Sequence, residues 1–345
     1  MNRPITLRSA RAARPRVFVL GNYVQACCWG IQRLPRAGET VPASALHIEP
    51  GGKGLNVAVC LQRLGAQVDT LIGCGSDAAG DTLLALAARE GIATDHIHRF
   101  PGASGWGAGL IAADGQNAIA VFPGANLSLT SEHAARAADA IAEAQLVYGQ
   151  FETSMAAVEA AFTHAHLHQV PTVLNPSPWQ TPTEALRHAT HTVIVNEVEA
   201  TDLLRLCEPL TGQALDCARR ISARLESFWS EWTSTRHLIV TLGAAGSLAF
   251  ERPGNGQPTT YWQADAYPIQ AIDTVGAGDA FASGYCAAML AGYDLADAIV
   301  WGNACGAHLA AQSGVLAALP NDVTLKNLLT QEPSPRVTRQ TISSL

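Results

Sequence analysis

Charge is scarce in this 345-residue sequence: 15% of residues are charged, and 22 bases are outnumbered by 29 acids. A protein that grips a phosphate backbone spreads Lys and Arg over its contact face, so a net charge of −7 argues against nucleic acid as a partner. No run of about 18 uncharged apolar residues occurs, so no membrane-spanning helix and no membrane partner are expected. The spacing of a zinc site is also missing. The cysteines at 27, 28, 60, 74, 207, 217, 286 and 305 form no CxxC pair and no close cluster with histidine. A disulfide scaffold would be shorter and denser in cysteine, so the thiols read as small hydrophobes in a reducing cytoplasm. Low charge combined with 48% apolar residues excludes a disordered chain and supplies a sizeable core. Residues 1–16 hold five arginines and no acid, without the apolar stretch of a secretory signal. We read residues 1–15 as a basic, disordered tail.

Strand-like and helix-like segments alternate along the rest. Val17–Leu20, Val68–Gly73, Leu146–Tyr148, Thr172–Leu174, Thr192–Val195 and Leu238–Leu242 are short apolar runs of strand type. Residues 55–65 and 81–90 have helical spacing and are closed by Gly65 and Gly91. This alternation predicts an α/β/α three-layer fold around a mainly parallel sheet. Two Gly- and Pro-rich stretches, about 22–49 and 100–123, fit helices poorly. The second holds Asp114-Gly115 between apolar runs, a hairpin signal. Both are expected to form a small antiparallel sheet standing off one domain, 16–330, as a lid. Residues 331–345 read as a disordered tail.

The strongest chemical signal is DTVGAGDAFASG at 273–284, followed by an apolar helix. Gly276, Ala277 and Gly278 let the chain turn tightly and bring N–H groups to a helix start, where partial positive charge converges. Asp279 then places a carboxylate beside a site suited to an anion. Phosphoryl transfer needs donors around the moving group and a base on the attacking hydroxyl, and this segment offers both. A second glycine-rich turn, PGGKGLN at 50–56, also precedes a helix. Gly51 and Gly52 allow close approach to a ligand, while Lys53 and Asn56 add a cation and an amide. It is neither a Walker A loop nor GxGxxG.

Together these segments resemble the two signatures of the PfkB/ribokinase-type carbohydrate kinases, GGKGxN and DTxGAGDxF, in the same order. Further matches are PRAGET at 35–40, Gly124-Ala125-Asn126, Asn196-x-x-Glu199, and Thr241-Leu-Gly243 with Gly246. The resemblance covers about residues 16–330. It implies a ribokinase-like fold and ATP-dependent phosphorylation of a hydroxyl on a small sugar or sugar-like acceptor. Asp279 is then the general base and Gly276, Ala277 and Gly278 the anion hole. Gly52, Lys53, Asn56 and Glu152 would contact the acceptor. Asn196, Thr241, Gly243, Gly246, Gly278 and Asn303 would contact the nucleotide. Glu199 would organise Mg²⁺ through water. Asp273 and Val275 begin a loop that in some members binds a monovalent cation such as K⁺. The lids of many relatives pair into a homodimer.

One departure concerns the acceptor. Family sugar kinases follow the first strand with glycine, then Asn three and Asp five residues on. Counted from Gly21, those positions hold Val24 and Ala26, whose side chains form no hydrogen bonds. Gln25 or Asn22 would have to take over the grip, and free ribose is expected to be a poor substrate. The alternatives are a nucleoside kinase, with Trp29, Trp106 or Phe122 as a stacking face, and a catalytically idle sugar or nucleotide sensor.

Overall fold

A computed structural model describes residues 13–114, 116–254, 259–330 and 335–341. Fourteen strands run through these residues, in chain order. They are β1 (Arg16–Leu20), β2 (Val24–Ile31), β3 (Ala43–Gly51), β4 (Gln67–Gly75), β5 (Ile97–Phe100), β6 (Gly105–Ala112) and β7 (Asn117–Phe122). The remainder are β8 (Leu146–Gln150), β9 (Thr172–Asn175), β10 (Thr192–Asn196), β11 (His237–Thr241), β12 (Ser247–Glu251), β13 (Thr260–Ala264) and β14 (Val337–Thr341). Ten form one sheet in the order β14-β13-β12-β11-β10-β9-β8-β1-β4-β5. From β5 to β11 every pairing is parallel; β12, β13 and β14 add an antiparallel edge. The expected three-layer fold is therefore present.

Strand β1 shows why the sheet is buried on both faces. Val17 and Val19 enter a core shared with helices Lys53–Arg63, Ala277–Leu290 and Leu295–Ala310. Phe18 and Leu20 point the other way, into a core shared with helices Met155–Leu167 and Ala214–Ser222. Helix Lys53–Arg63 lies directly on the end of β1: a Cβ at Gly54 would sit 2.1 Å from the Gly21 Cα. Only glycine permits that approach.

The lid is a four-stranded sheet, β3-β2-β6-β7. Hairpins β2–β3 and β6–β7 are antiparallel as expected, but β2 and β6 join them in parallel. The lid's second segment begins at Gly105, because Phe100 belongs to β5 of the main sheet.

Of the two expected tails, the C-terminal one needs correction. Residues 1–12 lie outside the described residues, but Arg14 Nη2 donates to the Ala66 carbonyl at 2.6 Å, so the described end is docked. Residues 331–334 and 342–345 likewise lie outside the described residues, whereas Val337–Thr341 is the edge strand β14. Its pairing with β13 is supported by the Arg339 guanidinium, 5.2 Å from the Trp262 ring centre, and by Tyr261 Oη donating to Gln340 Oε1 at 2.8 Å. Those partners stand about 80 residues away in sequence, beyond the reach of local pattern. No helix among the described residues is long and apolar enough to cross a membrane.

Candidate active site

The functional side chains gather beyond the carboxyl ends of the parallel strands, where open α/β sheets bind ligands. Helix Ala277–Leu290 begins there. Its N-cap, Gly276, has φ 77°, and a Cβ would strike the Val315 side chain at 2.6 Å. The Ala277 N–H turns back to the Thr274 carbonyl at 3.2 Å, so the turn consumes one of the three expected anion-hole donors. A Cβ at Gly278 would meet nothing within 4 Å, which leaves the first helical turn open to a ligand.

Asp279 follows in that first turn, buried at 6% exposure. It accepts a hydrogen bond from Asn56 Nδ2 at 2.8 Å. Burial pushes its carboxyl above the usual aspartate range; Lys53 and the Asn56 bond pull it down, and Glu199 adds a further upward push. Lys53 feels the same field reversed. Burial works against its charge, but Asp279, Glu152 and Glu199 outweigh it and hold the ammonium above its ordinary value. Asn56 Oδ1 is buried with no hydrogen-bond partner among the described residues.

The residues expected to contact the acceptor are organised by Asn22, which the sequence offered only as a stand-in. Its Oδ1 accepts from the Gly54 N–H at 2.9 Å and from Gln150 Nε2 at 3.0 Å, while its Nδ2 donates to Glu152 Oε2 at 2.7 Å. One side chain thus ties the end of β1 to the start of helix Lys53–Arg63 and to the end of β8. Glu152 also lies 4.0 Å from Lys53 Nζ, and burial raises its pKa. The sequence signal for Asn22 was its place immediately after the strand-ending Gly21. Gly52 is held at φ 115° against the Asn22 carbonyl, where a Cβ would approach to 2.7 Å. The four expected acceptor residues, Gly52, Lys53, Asn56 and Glu152, are thus linked to one another or to Asp279.

The expected nucleotide residues lie along the ends of β10, β11 and β13. Asn196 and Glu199 form a reciprocal capping box on helix Glu197–Leu203. Asn196 Oδ1 accepts from the Glu199 N–H at 2.9 Å, and Glu199 Oε2 accepts from the Asn196 N–H at 3.0 Å. The box spends one Glu199 carboxylate oxygen and leaves the other available. No group of three or more metal-ligating side chains occurs among the described residues. A single carboxylate fits Mg²⁺ that arrives with phosphates and keeps most of its water. Thr241 Oγ1 donates to the Val195 carbonyl at 3.4 Å, and Gly243 and Gly246 take φ values of 52° and 87° in the turn that follows. Asn303 Nδ2 donates to the Ala264 and Asp265 carbonyls at 3.2 and 3.1 Å, binding helix Leu295–Ala310 to the end of β13. Asp273 Oδ1 accepts from the Val275 N–H at 3.0 Å, and the Ile272 and Asp273 N–H groups both donate to the Ala310 carbonyl.

The lid register separates its faces. Ala26 stands between Glu49 and Gly107, and Gly107 opposite Val121; Cys28 stands between His47 and Gly109, and Gly109 opposite Ile119. Glu49 Oε1 accepts from the Val315 N–H at 3.4 Å, beside the Gly276 cap, so this face is the one toward the start of helix Ala277–Leu290. Trp29, Trp106 and Phe122 occupy the opposite face, with Leu46 and Ile48. They are therefore not the stacking surface that the sequence suggested, because side chains alternate along a strand.

The pfkB family carbohydrate kinase model matches residues 16–322. Ribokinase of Staphylococcus aureus is 31% identical over 298 residues, covering 84% of this chain and 91% of the relative. Ribokinase of Bacillus subtilis is 29% identical over 296 residues, covering 86% and 92%. The structure of Arabidopsis thaliana ribokinase complexed with ribose and ATP shares the fold, with a TM-score of 0.80 at 24% identity, covering 93% of this chain and 100% of that one. The glycine-capped helix carrying Asp279, the GGKG turn packed against it and this family match lead to one conclusion: the chain belongs to the pfkB family and is an ATP-dependent carbohydrate kinase.

Proposed function

We propose that the protein transfers the γ-phosphoryl group of ATP to a hydroxymethyl group of a small sugar-like acceptor, with Asp279 as general base. The observation that carries this is a buried carboxylate in the first turn of a helix whose glycine-rich start is open to an anion. The acceptor hydroxyl gives its proton to Asp279 while its oxygen bonds to the γ-phosphorus. The bond to the β,γ-bridging oxygen breaks, and that electron pair leaves with ADP. Gly276 and Gly278 shape the anion hole, with the first-turn N–H groups as its donors. Lys53 and Glu152 hold the acceptor, and the unpartnered Asn56 Oδ1 takes one of its hydroxyls, relieving an unmade bond that costs about 1–3 kcal/mol. Asn196, Thr241, Gly243 and Gly246 line the nucleotide side, Asn303 supports its adenosine end, and the free oxygen of Glu199 positions Mg²⁺ through water. Bound Mg²⁺ supplies positive charge against the phosphates. The fixed loop at Asp273 and Val275 offers main-chain oxygens to a monovalent cation such as K⁺.

Eight free thiols, six of them buried, fit a reducing cytoplasm. The outer lid face exposes Leu46, Ile48, Trp106 and Phe122, and a second copy of the same sheet is the occupant we assign to it. The test of the reaction is ADP release that requires both Mg²⁺ and an acceptor. Release at the same rate without any acceptor would overturn the assignment.

A further inference from the structure

The inner wall of the lid lacks what a polyol needs. In the first row above the site stand Val24, Gly51 and Gly105; in the next, Ala26, Gly107 and Val121. Neither polar neighbour makes good the missing grip. Asn22 spends both acceptor sites of its Oδ1 on Gly54 and Gln150 and one Nδ2 hydrogen on Glu152, so it keeps a single donor hydrogen and cannot accept from a sugar hydroxyl. Gln25 lies on the other face, buried, with its Oε1 accepting from Tyr23 Oη at 2.9 Å. Glu49, at the edge of the second row, gives one carboxylate oxygen to the Val315 N–H at 3.4 Å and keeps the other, as the acidic group at this margin.

Gly107 is the informative position. Its φ lies outside the left-handed region, so the backbone does not require glycine there. Packing does not require it either: a Cβ would meet only Ala26 Cα at 3.9 Å and Val24 Cγ2 at 4.0 Å, ordinary contacts. A glycine inside a strand weakens the strand, and one that neither strain nor crowding explains marks close approach by something else. Gly105, Gly107 and Gly109 recur at alternate positions of β6 on this one face. Packing explains two of them, since a Cβ at Gly105 would meet the Tyr23 carbonyl at 2.4 Å and one at Gly109 would meet Cys28 Sγ at 3.0 Å; the bare peptide that stays open is that of Gly107, between Val24 and Ala26 on one side and Val121 on the other. Ile119 and Val121 are exposed apolar side chains. Around Gly107 the floor is apolar, formed by Val24, Ala26 and Val121, with Glu49, Cys28 and His47 at its margins.

We propose that this trough seats a planar heteroaromatic ring carried by the acceptor, so that the preferred substrate is a nucleoside-like riboside rather than a free pentose. This deepens the kinase reading above and rests on it for the reacting hydroxyl, which Lys53, Asn56 and Glu152 hold at the other end. An apolar pocket cannot pay back the desolvation of several ring hydroxyls, whereas a flat ring loses water on both faces against peptide and aliphatic surface.

Two readouts test it, thermal stabilisation by acceptor alone and kcat/KM in an ADP-release assay. Both use ribose, 2-deoxyribose, and purine and pyrimidine nucleosides. At least one nucleoside is expected to raise Tm at concentrations where ribose does not, and to exceed ribose at least tenfold in kcat/KM. Gly107→Val fills the trough from a Cβ position that makes only ordinary contacts, and should lower the nucleoside-to-ribose ratio at least tenfold. Ala26→Asp restores a polar grip and should move the ratio the same way. Ribose ranking first in both readouts would overturn the proposal while leaving the kinase reading intact. Ratios unmoved by both variants would overturn it as well. Nucleoside stabilisation without transfer to any acceptor would support the trough and remove the kinase reading.

Discussion

Replacing Asp279 by Asn separates what this residue does for the reaction from what it costs the fold. The amide keeps an oxygen to accept the Asn56 Nδ2 bond, 2.8 Å long in the native protein, so the local shape survives. Proton acceptance is lost. A positioned base contributes about 10²–10⁴ in rate, or about 2.7–5.5 kcal/mol of barrier at roughly 1.36 kcal/mol per decade. Turnover measured by ADP release should fall by that range, with ATP affinity little changed. Stability should move the other way. Because burial raises the Asp279 pKa in the folded state, holding it ionised destabilises the native protein at neutral pH. That penalty is absent below the ordinary aspartate value, sets in as pH rises through the raised folded value, and is constant above it. Asp279→Asn should therefore melt at or above the wild-type temperature at pH 7–8, and the gain should vanish toward acid. The same ionisation should give kcat/KM an acid limb above the ordinary aspartate range. Turnover within threefold of wild type would refute the base assignment. A stability gain that grew toward acid would refute the electrostatic argument.

Glu199→Gln retains an oxygen for the capping box and should leave Tm nearly unchanged while raising the Mg²⁺ concentration needed for half-maximal rate; an unchanged titration removes Glu199 from the site. Asn303→Ala strands the Ala264 and Asp265 carbonyls and should cost about 1–3 kcal/mol in urea unfolding. A denaturation midpoint equal to wild type would show that those bonds contribute nothing. Light scattering should find a homodimer at micromolar concentration, and Phe122→Asp on the outer lid face should yield monomer; a wild-type monomer would end that assignment.

The sheet, its helices and the two glycine-rich turns were legible because each is written in local pattern: short apolar runs, helical spacing, and Gly at strained turns. The hub at Asn22 was not, since its partners Gly54, Gln150 and Glu152 are brought to it only by the packing of β1 against β8 and the first helix. The lid aromatics were assigned to the site because composition says that Trp29, Trp106 and Phe122 are in the lid but not which face they occupy. One residue of register decides that. The β2–β6 pairing was likewise hidden, because parallel neighbours are joined by long connections rather than a turn. The C-terminal strand read as disordered because, among the described residues, its strand partner is β13, about 75 residues earlier in the chain.

The contact between Gly54 and Gly21 divides the molecule into a part that evolution can alter freely and a part that it cannot. Lys53 and Asn56 ride on a helix pressed so closely onto the end of β1 that no side chain fits between them. A mutation that shifts that helix disturbs the core and the reacting centre together, so selection for folding protects the chemistry as a by-product. The lid wall is tied more loosely: its four strands bond to one another, and, unlike Gly105 at its base, Gly107 has room for a side chain. New acceptor preferences therefore arise most cheaply by exchanging residues on β2, β6 and β7 while the body stays constant. A library confined to positions 24, 26, 107 and 121 would sample that freedom without touching the machinery of transfer.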